Sequence, residues 1–433
     1  MRLEPVITGL LFAFASAAAT NPAAVTFTKD VAPVLQKNCQ GCHRPGEAAP
    51  FSLLTYEQAR PWAKAMKEAV LLKKMPPWFA DPHFGKFSND RSLSQREIDT
   101  LVAWADTGAP QGDRKDLPAP ANFVEGWRIP KPDMVFEMPQ AFEVPAAGTV
   151  EYQYIVVPSG LTEDKWVRFS EARPGNRALV HHIIAFIREP GSKWLKDAQP
   201  GVPFVPKKNK DGEKDEGGAG DFLAGFAPGT MPVELEPGQA KLLKAKSDIV
   251  FQMHYTANGH AGTDQSKVGV VFATEPPKER VFTLAAGQGD FKIPPGDPNY
   301  KVDSEFEMGT QVKLVGMLPH MHLRGKDFEY RVVYPTGETE TILSVPHYSF
   351  SWQLSYYPVK PIVLTKGAKI QCTAHYDNSA NNPSNPDATK EVTWGDQSWD
   401  EMMLGFFDVA FDANMPLKNL FPEKKGEKKA GGE

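Results

Sequence analysis

Cys39, Cys42 and His43 form the pattern C-x-x-C-H, whose residue types could bind a metal or a porphyrin. The two thiols can form thioethers to both vinyl groups of one haem, and the histidine can then ligate its iron. A zinc site would usually need a second pair of ligands, and the only other cysteine is Cys372. A redox C-x-x-C would need a βαβ pattern, which is absent around these residues. The sequence therefore predicts one covalently attached haem c.

The haem iron needs a sixth ligand, and we predict Met75. It lies in Lys-Lys-Met-Pro-Pro-Trp, where the two prolines would stiffen a loop that presents sulfur to iron. A thioether ligand raises the reduction potential, which suits an electron carrier. The alternatives are His83 and Met66. Met66 falls in a helical stretch and is better explained by packing.

Helical patterns lie on both sides of the haem cysteines. Val31, Val34 and Leu35 recur at helical spacing and lead into Cys39. A second helix begins at Ser94, where Ser-Gln-Arg-Glu is a capping box. This arrangement resembles a class I cytochrome c domain, over about 85 residues.

Histidines form a second group of candidate ligands. Residues i and i+2 of a strand face the same side, so His320 and His322 would converge while Met321 points away. His181 and His182 are adjacent in an apolar strand, so they can share a metal only if the backbone bulges there. Otherwise one of them is a core residue and the other a surface residue.

His254 and Met402 are weak signals by themselves. A lone histidine on a strand is more often structural than a ligand. Met402 stands beside Met403, Leu404, Phe406 and Phe407, a composition that favours core packing.

The order of these residues resembles the type II copper monooxygenases, the family of peptidylglycine α-hydroxylating and dopamine β-monooxygenase. The resemblance covers roughly residues 136–412 and implies two consecutive β-sandwich domains with one copper each. It implies an electron-donating copper on the first domain and an oxygen-activating copper on the second. The implied ligands of the first copper are His181, His182 and His254. Those of the second, which would also be the catalytic residues, are His320, His322 and Met402.

The ligand types support copper independently of the resemblance. Imidazole suits Cu(I) and Cu(II), and thioether sulfur favours Cu(I). The resemblance implies an enzyme that hydroxylates a C–H bond of an organic substrate with O₂. The fused haem would relay electrons from an external donor, either ascorbate or a redox protein. The alternative is a non-enzymatic haem c and copper electron-transfer protein, or sandwiches that only dock a partner oxidoreductase.

Two positions depart from the peptide-amidating branch of this family. An arginine and a tyrosine that hold the substrate carboxylate there are replaced by Leu318 and Phe406. We therefore expect an apolar substrate that is not a peptide carboxylate. The family's cysteine after the methionine ligand is Met403 here, so we expect Cys372 to be a free buried thiol.

The first residues read as a secretory signal, with a positive start, an apolar run and small residues from Ala15 to Ala19. Covalent haem attachment also takes place outside the cytoplasm, so we expect a periplasmic or secreted protein. No later stretch approaches about 18 apolar residues, so no transmembrane segment is expected. A net charge of −5 gives no reason to expect nucleic acid.

These patterns predict a multidomain chain: a small all-α class I cytochrome c domain followed by two all-β sandwich (jelly-roll-like) copper domains. Short alternating strands from about residue 136 favour the sandwiches. A charged, glycine-rich stretch from Lys207 to Gly220 predicts a flexible insertion. The expected parts are a signal peptide 1–20, the cytochrome c domain 25–112, a proline-rich linker 113–135, the copper domains 136–278 and 279–415, and a charged disordered tail 416–433.

Overall fold

The computed structural model describes residues 25–47, 49–206 and 220–423. The predicted signal peptide, nearly all of the predicted insertion and the last ten residues of the predicted tail lie outside these ranges. Within them, no helix is long and apolar enough to cross a membrane.

Helices account for a small part of the described chain and most lie before residue 117. The α-helices are α1 (Ala32–Asn38), α2 (Tyr56–Ala59), α3 (Ala63–Leu71) and α4 (Gln95–Asp106). Shorter turns are a π-helical Phe27–Val31 and the 3₁₀ turns Arg60–Trp62, Arg114–Asp116 and Leu417–Leu420. The predicted capping box is confirmed, because Ser94 Oγ accepts from Glu97 N at 3.3 Å and Ser94 N donates to Glu97 Oε2 at 2.8 Å.

The chain is mostly β-sheet, as the strand patterns predicted. Ten strands precede residue 265: β1 (Met134–Glu137), β2 (Phe142–Val144), β3 (Gln153–Pro158), β4 (Lys165–Arg173), β5 (Val180–Arg188), β6 (Asp221–Phe226), β7 (Val233–Glu234), β8 (Gln239–Leu243), β9 (Asp248–Tyr255) and β10 (Gly262–Asp264). Eleven follow: β11 (Lys267–Phe272), β12 (Glu279–Gly287), β13 (Lys292–Ile293), β14 (Tyr300–Glu307), β15 (Val312–His320), β16 (Gly325–Val333), β17 (Thr339–Val345), β18 (Ile362–Leu364), β19 (Lys369–Tyr376), β20 (Val392–Thr393) and β21 (Leu404–Asp412).

The strands form two layered units, each with its own apolar core. In the first, strands in the order β1-β11-β4-β8 face a sheet in the order β3-β9-β5-β6. In the second, β12-β21-β15-β18 face β14-β19-β16-β17. Each core takes side chains from both of its sheets, which is the arrangement of a β-sandwich.

The two sandwiches share one continuous sheet, because β8 pairs in parallel with β12 through two residue pairs. A buried ion pair lies at this junction. Lys241 Nζ is 3.0 Å from Asp221 Oδ1 and also donates to Thr283 Oγ1 at 2.9 Å. Lys241 is 1% exposed and Asp221 is 5% exposed. The charges of Lys241 and Asp221 are therefore shielded from water, and each must be stabilised by the groups bonded to it.

The chain between α3 and α4 packs on the second sandwich. Phe87 belongs to the core of that sandwich, and Trp78 packs against it. Ser88 N donates to Tyr357 O at 2.8 Å, and Asn89 Nδ2 donates to Ser355 O at 2.8 Å. Residues 78–89 thus tie the helical segment to the second sandwich.

The end of the second sandwich lies later than the sequence indicated. The predicted disordered tail began at 416, but Leu417–Leu420 is a helical turn and Leu420 is fully buried in the second core. An apolar pair of leucines in a charged segment was the signal for this contact.

Candidate metal centres

His181, His182 and His254 lie side by side on neighbouring strands of the first sandwich. His182 on β5 pairs directly with His254 on β9, so their side chains share one face of the sheet. The register shifts between Val180 and His182. This bulge is the condition under which two adjacent histidines can face one point.

One ring nitrogen from each of these three histidines lies within 4.8 Å of the others. The ring centroids are 4.9 Å apart for His182 and His254 and 4.8 Å apart for His181 and His254. His182 Nε2 and His254 Nδ1 are buried and have no hydrogen-bond partner among the described residues. Buried nitrogens of this kind are costly unless something else binds them.

His320 and His322 lie at the end of β15 in the second sandwich. The strand ends at His320, so His322 lies in the following loop rather than in the strand that the sequence suggested. Their ring centroids are still 5.2 Å apart. His320 Nδ1 donates to Gln353 Oε1 at 2.8 Å, and His322 Nδ1 lies 3.3 Å from Asp400 O. His322 Nε2 is buried without a partner among the described residues.

Met402 lies beside these two histidines along the sheet. His320 pairs with Leu404 at the start of β21, and His322 and Met402 are each two residues beyond that pair. Glu401 holds the two loops together, because its carboxylate accepts from His322 N at 2.8 Å and from Arg324 N at 2.6 Å. Met402 is 9% exposed.

Burial keeps these imidazoles neutral. It lowers the pKa of His254 to about 3 and the pKa of His320 to about 4. It also lowers the pKa of His181, and it lowers the pKa values of His182 and His322 well below the usual range, with nearby histidines adding to the effect at both. Neutral imidazole is the form that binds a metal.

Two aromatic residues lie between the histidine clusters. The Tyr152 ring is 4.6 Å from that of His254 and 6.4 Å from that of His322. The Phe350 ring stacks on His181 at 5.2 Å and is 5.8 Å from His322. The clusters of the two sandwiches therefore border one shared, largely buried region.

The residues of both clusters fit a soft or borderline metal. Each cluster offers neutral imidazole nitrogens, and the described hydrogen bonds leave at least one buried nitrogen of each cluster without a partner. The register of β15 and β21 brings the backbone of Met402, a thioether residue, alongside the second cluster. Imidazole and thioether together suit copper in both oxidation states.

A third candidate site surrounds the C-x-x-C-H residues. His43 Nδ1 is 3.3 Å from Phe51 O, which leaves Nε2 as the nitrogen for an iron. Burial, with Cys42 and Glu97 adding to it, raises the pKa of the Cys39 thiol to about 12. Large apolar side chains nearby in the chain are exposed, namely Leu54, Trp62, Leu71 and Leu72. Each of these side chains leaves apolar surface that a large apolar group such as a porphyrin could cover.

The three candidates for the sixth iron ligand differ in their surroundings. Met66 packs against the helical core, as the sequence suggested. His83 is largely exposed, and its Nδ1 is 2.6 Å from Asp81. Met75 is half-buried in the loop after α3.

Cys372 is a free, fully buried thiol, as predicted.

Sequence patterns missed Tyr152, Phe350, Gln353 and Glu401 as residues of these sites. A cavity of about 280 Å³ lies between the chain around Glu151 and the segment from Asp396 to Asp400. Its lining includes Asp400, whose carbonyl oxygen lies 3.3 Å from His322 Nδ1. Glu151 and Asp396 add two further carboxylates to the lining, which makes the cavity unfavourable for an anionic group.

No family model matches this chain, and no curated protein matches it. Similar solved structures include the structure of infectious bursal disease virus Gx strain, at 11% identity and a TM-score of 0.19, covering 69% of this chain and 76% of that one. Another is the crystal structure of PBCV-1 VP54 fitted into a reconstruction of the virophage Sputnik, at 8% identity and a TM-score of 0.19, covering 68% of this chain and 100% of that one. Likeness at such TM-scores carries no argument about this chain.

Proposed function

We propose that this chain is an exported copper-dependent monooxygenase with a fused class I cytochrome c domain. The observation that carries the proposal is the pair of buried imidazole clusters that border one region between two sandwiches. Three of their nitrogens are buried without a partner among the described residues, which is the arrangement expected of metal ligands.

The residues of the two clusters would take different parts. His181, His182 and His254 would hold one copper, and His320, His322 and Met402 would hold the other. Copper bound there would supply the one-electron chemistry by which a substrate RH, O₂, two electrons and two protons yield ROH and water. Gln353 and Glu401 keep the second set in place through the hydrogen bonds to His320 and to the His322 backbone.

The helical segment would bind haem c through Cys39, Cys42 and His43, with Met75 as the sixth iron ligand. Bound haem would supply electrons taken from an external donor, ascorbate or a redox protein. The Phe51 carbonyl orients His43, and the exposed apolar side chains of residues 54–72 would cover the ring. Export rests on the predicted signal and on where haem c is attached.

The cavity whose lining includes Asp400 supports one part of the expected substrate class, the absence of a carboxylate. Its carboxylates would repel a carboxylate substrate, and Leu318 and Phe406 replace the residues that would hold one. The proposal is therefore hydroxylation of a C–H bond in a substrate without a carboxylate.

Isotope incorporation tests this function directly. Holoprotein, an artificial reductant and a panel of uncharged and cationic substrates are incubated under ¹⁸O₂, and products are analysed by mass spectrometry. One labelled oxygen per hydroxylated product, absent in His320→Ala, is expected. If protein loaded with copper and haem exchanges electrons but no product carries the label, the result favours a non-enzymatic electron-transfer protein instead.

A further inference from the structure

The loop between β17 and β18 connects the helical segment to the histidine clusters. Gln353 accepts from His320 Nδ1 at 2.8 Å, and Phe350 stacks on His181. Three residues after Gln353, Tyr356 contacts the helical segment. The centroid of its ring is 4.9 Å from that of Trp78 and 5.5 Å from that of Phe87.

Tyr356 is also hydrogen-bonded to the strand that carries His320. Its backbone exchanges two hydrogen bonds with Met317, at 2.8 and 3.0 Å. Met317 lies three residues before His320 on β15. Tyr356 is therefore linked to His320 twice, through Met317 and through the chain to Gln353.

On the other side of the contact, Trp78 lies three residues after Met75. Tyr356 is 1% exposed, and Trp78 packs against the core that contains it. The rate of electron transfer falls steeply as the distance between non-bonded atoms on its route increases. A route through packed rings and hydrogen bonds is therefore faster than a route through solvent. The contacts from Trp78 to His320 form such a continuous chain.

We propose that Trp78 and Tyr356 carry electrons from the haem to the copper held by His320 and His322. In each step one ferrous haem becomes ferric and one Cu(II) becomes Cu(I), with no proton transferred. This inference rests on the proposed function and on Met75 as iron ligand.

A second contact offers a competing route. Glu47, four residues after His43, is 3.5 Å from Arg177 of the first sandwich, four residues before His181. Between Glu47 and Arg177 this contact is an ion pair without direct ring-to-ring packing, so it favours docking over electron transfer. It supplies a comparison variant, because Glu47→Gln weakens this ion pair together with those that Glu47 makes to Arg44 and Arg128 and leaves the Trp78–Tyr356 contact in place.

Flash photolysis of anaerobic holoprotein measures the route without turnover. A photoreduced flavin reduces the haem, and the decay of ferrous haem absorbance reports electrons leaving for Cu(II). Trp78→Leu should slow this decay about tenfold or more, a barrier increase of about 1.4 kcal/mol. Trp78→Phe should retain most of the rate, and the haem potential should be unchanged in both variants.

Two kinds of control variant are needed. One weakens the docking of the helical segment on the second sandwich without changing Trp78 or Tyr356, and the other removes one of the two possible electron acceptors. Asn89→Ala removes the hydrogen bonds to Ser355 and Tyr357 and should leave the decay nearly unchanged. His320→Ala should abolish the fast phase, while His254→Ala should keep it. If Trp78→Leu fails to load haem, Tyr356→Leu tests the same contact from the other side.

The outcomes distinguish this inference from the proposed function. If Trp78→Leu and Tyr356→Leu both leave the decay at the wild-type rate, the proposed route is wrong, but the proposed function is not affected. The same conclusion follows if Glu47→Gln or His254→Ala slows the decay instead. Holoprotein that carries haem but binds no copper overturns the proposed function as well.

Discussion

His320 Nδ1 donates a hydrogen bond to Gln353 Oε1 at 2.8 Å, and both side chains are buried. With the proton on Nδ1, the lone pair of the ring lies on Nε2. The amide therefore fixes both the tautomer and the orientation of the ring. A residue 33 positions away thus leaves the Nε2 lone pair of His320 for the copper that we propose there.

Gln353→Leu should weaken copper binding at the His320 site roughly 10- to 100-fold, because the ring loses the partner that orients it. Copper affinity is measured by competition with a chelator. Gln371→Leu is the matched control, since Gln371 bonds to Glu305 on an exposed surface. Equal affinities in the two variants would contradict the role of Gln353.

Lys241→Met should lower the free energy of unfolding by about 3–5 kcal/mol, because it leaves the buried Asp221 carboxylate without its partner. Urea denaturation measures the change. Lys244→Met removes a partly exposed ion pair with Glu189 and should cost about 1 kcal/mol or less. Similar losses in both variants would show that the junction does not depend on its buried pair.

Glu97 belongs to the capping box at the start of α4, and it should make the stability of this helix depend on acid pH. Burial raises the pKa of Glu97, but hydrogen bonds from Lys37, Ser94 and Asn38 outweigh it and lower the pKa to about 2. A carboxyl whose pKa is lowered by folding stabilises above its unfolded pKa, and this contribution is lost as pH falls from about 4.5 towards 2.

Glu97→Gln keeps the capping geometry without the charge, so it should be less stable than the wild type at pH 7 but approach it below pH 3. Hydrogen exchange of α4 peptides in mild urea measures this locally. Glu68→Gln on α3 is the control. A difference between wild type and Glu97→Gln that stays constant across this range would contradict the prediction.

Tyr152→Phe tests the hydroxyl between the clusters. This hydroxyl is buried and has no hydrogen-bond partner among the described residues. Its removal from the metal-free protein should therefore leave stability unchanged or raise it by about 1 kcal/mol, as thermal unfolding would report. A loss of more than about 1 kcal/mol would mean that the hydroxyl is satisfied in solution.

Sequence patterns predicted those features of the structure that depend on residues close together in the chain. Alternating residues predicted the strands, and the Ser94–Glu97 spacing predicted a helix start that the structure has. For His181 and His182 to share a metal, their adjacency called for a bulge, and the register does shift between Val180 and His182.

Contacts between distant segments could not be predicted in the same way. Gln353 reaches His320 from a loop 33 residues away, whereas the contacts of Phe350 with His181 and of Tyr152 with His322 join the two sandwiches. No periodicity in the sequence encodes such contacts. The insertion of Phe87 into the second core likewise depends on tertiary packing, since its sequence context is an ordinary loop.

The metal content of the holoprotein decides whether the two histidine clusters bind copper. Holoprotein matured with haem and dialysed against copper with competing zinc is analysed for metals by mass spectrometry. We expect one iron and two coppers per chain. His320→Ala should lose one copper and His254→Ala the other, and the copper spectrum of each variant identifies which site is empty. An iron-loaded chain without copper, or copper that neither substitution removes, would contradict this expectation.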